Sequence, residues 1–142
     1  RPQRMNSMAS ITLAQARDVL DAGLQKADEI EVPMNIAVVD AGNNLTAFAR
    51  QDGAWLGSID IAHSKAYTAR AFDMATEDLY EMSQPGGSLY GITSSNYGQV
   101  IIFAGGIPIR AGDEVVGAVG VSGGIVEQDQ QVAAAAAAAF DG

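Results

Sequence analysis

The sequence predicts an α+β fold: one five-stranded antiparallel sheet flanked by helices. Three observations carry this. Residues 114–122 (EVVGAVGVS) are rich in β-branched valine and bounded by Gly112 and by Gly123–Gly124, the signature of a buried strand. Residues 35–39 and 45–50 are short apolar runs separated by DAGNN, which carries turn chemistry and predicts a β-hairpin. Residues 12–29 and the alanine-rich tail at 125–140 carry helical patterns.

Taken in order, residues 1–9 read as a tag or disordered N-terminus, with Met5 or Met8 as natural starts, and residues 10–142 as a single domain. In 12–29, Leu13, Ala16, Leu20, Leu24 and Ala27 recur at helical spacing. Thr12 with Gln15 makes a capping box, and Pro33 stops the helix. The hairpin's second strand has Leu45, Ala47 and Ala49 on one face and Thr46, Phe48 and Arg50 on the other. Residues 55–74 predict a second helix, and 76–82 a short third one capped by Thr76. Residues 84–88 (QPGGS) must be loop, and 89–96 carry no clear pattern.

Residues 100–103 (VIIF) predict a strand, Gly105–Gly106 a turn, and 107–110 a paired strand that Pro108 assigns to an edge. In 114–122, alternation directs Val115, Gly117, Val119 and Val121 one way and Val116, Ala118, Gly120 and Ser122 the other. The second face is mostly small, so a helix backbone is expected to approach it closely. Seven consecutive alanines then end the last helix. The order α-β-β-α-α-β-β-β-α is that of a profilin-like sandwich, with strands joined by tight turns pairing antiparallel.

Composition narrows the function. A length of 142 residues with 48% hydrophobic and 18% charged residues fits one globular domain. A net charge of −9 argues against nucleic acid and anionic membrane as partners. No apolar run reaches spanning length, and residues 1–10 lack the apolar segment of a secretion signal. Cysteine is absent, which agrees with a cytoplasmic location, although a signal lost in cloning stays compatible with the sequence. With His63 as the single histidine, a multi-histidine metal site within one chain is impossible, and no metal site is predicted.

The glycines at 117, 120 and 123 match neither GxGxxG nor GxxxxGK[ST], so they predict no phosphate cradle. Gly123–Gly124 nevertheless open a helix, and their free amides offer a seat for a carboxylate or propionate. Glu127 and Asp129 follow in the first turn. They serve either as ordinary helix-start acids or as an acid–base group beside a pocket. Lys65 falls on an apolar stripe, where a lysine either snorkels outward or pairs with an acid, and Asp40 at a strand end is a candidate partner. Arg50 and Asp52 flank a strand end and are read as a surface pair. His63 is either a structural residue or a haem or metal ligand. Gly86 and Tyr90, in and after the 84–88 loop, are candidate pocket residues; the rings of Tyr97 and Trp55 line pockets or fill core.

Five blocks in order, VVDAGNNLTAFARQDGA (38–54), SIDIAHSKAYTA (58–69), QPGGSLYGI (84–92), FAGGIPIR (103–110) and VVGAVGVSGGIVEQD (115–129), resemble the GlcG/HbpS-like family, also described as haem-degrading or PduO C-terminal-like domains. The resemblance spans residues 11–135. Lys65 matches the family's lysine in its KAxTA block, and residues 127–129 match its EQD ending. His63 stands where the family does not usually have histidine, and Ala104 where proline is common. Haem ligation in relatives is not carried by one invariant residue, so His63 inherits no role. The resemblance implies a five-stranded sheet, homo-oligomers, often octamers, and haem or another tetrapyrrole as ligand. It leaves two alternatives open. One is an enzyme acting on a small carboxylate or aldehyde in a catabolic pathway, with Lys65 as nucleophile or charge clamp and Glu127 or Asp129 as acid–base group. The other is a structural or regulatory partner protein.

Overall fold

The computed structural model describes residues 9–142; the expected N-terminal tag lies almost wholly outside them. Its elements are α1 (Leu13–Ile30), β1 (Asn35–Asp40), β2 (Leu45–Arg50), α2 (Gly57–Phe72), β3 (Gly106–Ala111), β4 (Glu114–Ser122) and α3 (Val126–Ala138). Between α2 and β3 the chain makes short 3-10 turns at Thr76–Leu79, Glu81–Ser83, Ile92–Ser94 and Asn96–Gly98.

The sheet has four strands in the order β2-β1-β4-β3, all neighbours antiparallel. The expected five-stranded sheet is therefore corrected to four; the α+β class stands. The missing strand is 100–103. At Ile101 the backbone bonds a side chain instead of a neighbouring strand, its N donating to Thr68 Oγ1 at 3.1 Å, and just past the segment Gly105 N donates to Gln130 Oε1 at 3.0 Å. Gly105, at φ +125, turns the chain into the ladder, where its carbonyl accepts from Val121 N at 2.9 Å. Apolar composition alone reads VIIF as a strand, because it cannot show where the hydrogen bonds go.

The first helix starts with the expected capping box, in which Gln15 N donates to Thr12 Oγ1 and Thr12 N to Gln15 Oε1. The expected third helix at 76–82 is instead two 3-10 turns. Thr76 is no cap; it is buried, and its Oγ1 accepts from Gly106 N at 2.9 Å, tying this segment to β3.

α1 and α3 cover one face of the sheet through Val19, Ile36, Val38, Val119, Val121 and Val132. α2 covers the other, with Ala62, Ala66 and Ala69 against Ala37, Val39 and Ala118. The small face of β4 does admit a helix backbone. A Cβ on Gly120 would lie 2.0 Å from Ala62 O and 2.4 Å from Ala66 N, so α2 rests directly on that glycine. The alanine tract works the same way on the opposite side: Ala133 and Ala136 are buried, and a Cβ on Gly23 of α1 would meet Ala136 Cβ at 3.2 Å.

Strict alternation fails at one point in β4. Ile109 pairs with Gly117 but Arg110 with Val115, so Val116 is the extra residue of a bulge. It joins Val119 and Val121 in the α1–α3 core instead of Ala118 on the α2 side.

Candidate functional site

The long side chain of Lys65 leaves α2 and is fully enclosed, at 0% exposure. Its Nζ donates to Val121 O and to Asp129 Oδ2, both at 2.9 Å, and lies 5.1 Å from the centroid of the Phe103 ring. Asp129, 2% exposed in the first turn of α3, uses its other oxygen to accept from Gly124 N at 2.9 Å. One ion pair thus joins α2, the end of β4, the glycine turn and α3. A Cβ on Gly105 would fall 2.6 Å from Lys65 Nζ, so the loop before β3 closes over the ammonium.

Burial pushes the pKa of Lys65 below the ordinary lysine value, opposed by the charge and hydrogen bond of Asp129. Burial likewise raises the pKa of Asp129, opposed first by Lys65 and then by the Gly124 and Gly123 amides. A lysine with a lowered pKa beside a carboxylate has the composition of an amine nucleophile. Here it has no open face, and both of its polar partners are internal.

The Phe103 ring separates this pair from a cleft of about 590 Å³. Phe103, Ala104 and Val126 give it apolar walls; Tyr80, Glu77, Glu127 and Gln130 complete the lining. Gln130 Oε1, accepting from Gly105 N, anchors the 103–105 segment to α3. A groove of about 480 Å³ continues from it, sharing Glu77 and Tyr80 and adding Asp78, Glu81 and Met82. A separate, more polar cleft of about 640 Å³ lies between the end of α1 and β2, with Asp28, Glu31, Arg50 and Asp52 in its lining. Gln51 stiffens its wall: Met34 N donates to its Oε1 at 2.9 Å, and its Nε2 donates to Asp28 Oδ1 at 3.0 Å.

The residues singled out in the sequence fall into three groups. Lys65, Asp129, Gly123 and Gly124 come together, with Glu127 on the rim of the apolar cleft. Arg50 and Asp52 share the polar cleft, where Arg50 Nη1 donates to Ala54 O at 3.2 Å. The rest stand apart. Asp40 is not the partner of Lys65; its Oδ1 accepts from Asn44 N within the hairpin turn. His63 is half-buried on α2 and lines neither cleft, and Gly86 and Tyr90 are exposed in the long connection. The sequence reading missed Phe103, Tyr80 and Gln130 as cleft residues. An aromatic residue beside the Gly105–Gly106 pair was the available signal.

Comparison with known proteins agrees with this architecture. A model of the family described as haem degrading protein HbpS-like matches residues 11–138. A protein of Citrobacter freundii, named only as an uncharacterized 15.0 kDa protein in the dhaT–dhaS intergenic region, is 43% identical over 137 residues, covering 96% of each chain. The crystal structure of Klebsiella pneumoniae ORFY superposes with a TM-score of 0.93 at 42% identity, over 95% of this chain and 93% of that one. The crystal structure of a PduOC–haem complex superposes with a TM-score of 0.90 at 34% identity, over 94% and 96%.

Proposed function

The chain belongs to the HbpS-like family, and on that premise we propose that it is a binding protein for haem or a closely related tetrapyrrole, working as a homo-oligomer. The observation that carries the reading is the likeness to PduOC, whose structure was determined as a haem complex, together with an apolar cleft of suitable size. Its volume of about 590 Å³ lies within the roughly 300–1,000 Å³ typical of small-molecule pockets.

The apolar part of the lining suits an aromatic macrocycle. Phe103, Ala104 and Val126 would hold the ring by apolar contact, and Tyr80 supplies a phenol oxygen, a donor that haem iron accepts. The first-turn amides of α3 have no intrahelical acceptor and offer hydrogen bonds to a carbonyl oxygen on the ligand's edge. When bound, haem would supply an iron centre. Lys65 and Asp129 then serve as scaffold beneath the cleft: by holding Phe103 and the start of α3 in place, they keep its walls apart.

The oligomeric part of the reading is supported by Trp55 and Leu56, adjacent at the start of α2 and exposed at 68% and 72%. Octamers, which the resemblance implies, are expected in light scattering; a monomer at every concentration contradicts this part.

Titration with hemin, followed through the Soret band, tests the ligand. A saturable shift is expected, its position altered in Tyr80→Phe and unchanged in His63→Ala, since His63 lines neither cleft. Absence of a saturable shift contradicts the reading.

A further inference from the structure

We propose that the apolar cleft selects among flat macrocyclic ligands by charge, favouring those whose edge groups are uncharged or cationic over those that carry carboxylates. This inference rests on the reading of the cleft as the tetrapyrrole site and adds the class of tetrapyrrole it prefers.

The carrying observation is a mismatch between walls and rim. The walls suit an aromatic ring, but the rim holds Glu77 and Glu127, and no lysine or arginine lines the cleft. The adjoining groove, which shares Tyr80, adds Asp78 and Glu81 and again no cation. Four exposed carboxylates thus surround one mouth, and none of them is ion-paired among the described residues. The nearby cation, Lys65, lies behind Phe103 and is already neutralised by Asp129 at 2.9 Å. The positive end of α3 is partly offset by Glu127 in its own first turn. The net charge of −9 adds a long-range field of the same sign.

Haem carries two propionates. A ligand carboxylate about 7 Å from a rim carboxylate in water is disfavoured by roughly threefold in Kd at low ionic strength. The same rim attracts a cationic edge by a similar factor and leaves an amide edge almost indifferent. Apolar contact still drives ring binding in every case, so charge tunes the preference without abolishing haem binding.

The test compares three probes: hemin, hemin amidated at both propionates, and a tetracationic iron porphyrin. Each is titrated into the wild-type protein and the Glu77→Gln/Glu127→Gln variant, at ionic strengths of about 0.01 M and about 0.15 M. Both substitutions fall on exposed side chains, so the fold is retained. For the wild type, the order of affinity expected is cationic, then amidated, then hemin. Added salt tightens hemin and weakens the cationic probe. In the variant, hemin binds roughly tenfold tighter, about threefold for each carboxylate removed. Hemin binding as tightly as its amidated form, or more weakly in the variant, overturns the proposal while leaving tetrapyrrole binding intact. Failure of all three probes to bind overturns the tetrapyrrole reading itself, and this one with it.

Discussion

Lys65 and Asp129 form a fully enclosed ion pair, and its energetics differ from those of a surface pair. Breaking such a pair from one side leaves a buried charge without compensation and typically costs about 3–5 kcal/mol, whereas replacing both partners together costs far less. Lys65→Met alone is therefore expected to lose about that much in urea unfolding. Lys65→Met with Asp129→Asn should recover most of it, because the asparagine keeps an acceptor for Gly124 N. The two variants also separate by pH. Without Lys65, nothing but the glycine amides opposes burial, so the pKa of Asp129 rises further above its ordinary value of 3.8. A carboxyl whose folded-state pKa is raised stabilises the fold below its unfolded pKa, and that stabilisation is lost as pH rises through the folded value. The single variant should thus be most stable in acid and weaken upward from about pH 4, while the double variant stays flat over the same range. Urea midpoints across pH check this, and an equally flat single variant contradicts it. The sequence left a lysine on an apolar stripe two outcomes, snorkelling outward or pairing with an acid, and the structure shows the second. The sequence could not show which acid, because only the crossing of α2 over β4 brings residue 129 to residue 65, and Asp40 lay nearer in the chain.

The β4 strand shows what periodicity can and cannot reveal about an element. The small residues Ala118 and Gly120 announced a helix backbone in close approach, and α2 is found there. Gly120→Ala drives a methyl group into the Ala62 carbonyl and the Ala66 amide, so it is expected to cost about 3 kcal/mol or more, the upper range for overpacking. Gly112→Ala is the informative control. Its site is open, and only the φ of +64 resists a side chain, so a loss of about 1–2 kcal/mol is expected. Equal losses at the two positions contradict the packing account. The bulge at Val116 was invisible to alternation, since it depends on the register against β3. The 100–103 segment misled for a related reason: it pairs with no strand, and the partner of Ile101 N is the side chain of Thr68 on α2.

For the whole molecule, family membership was legible because five blocks lie in order along the chain, and the family model spans the same region. The cleft was not. Its walls come from three separated stretches, around Tyr80, Phe103 and Val126, that converge only once β3 pairs with β4 and α3 folds back. Polar residues such as Lys65 and Asp129 stand out singly in the sequence, although their pairing does not, whereas an apolar wall looks like ordinary core. Among the described residues no helix is long and apolar enough to cross a membrane. The central claim is that this cleft binds a tetrapyrrole ring, and one comparison tests it most directly: hemin titration of the wild type against Phe103→Ala, read at the Soret band. One saturable site in the wild type, weakened about tenfold or more when the aromatic wall is removed, is the predicted result. A wild type without a saturable site, or identical titrations for the two proteins, would contradict it.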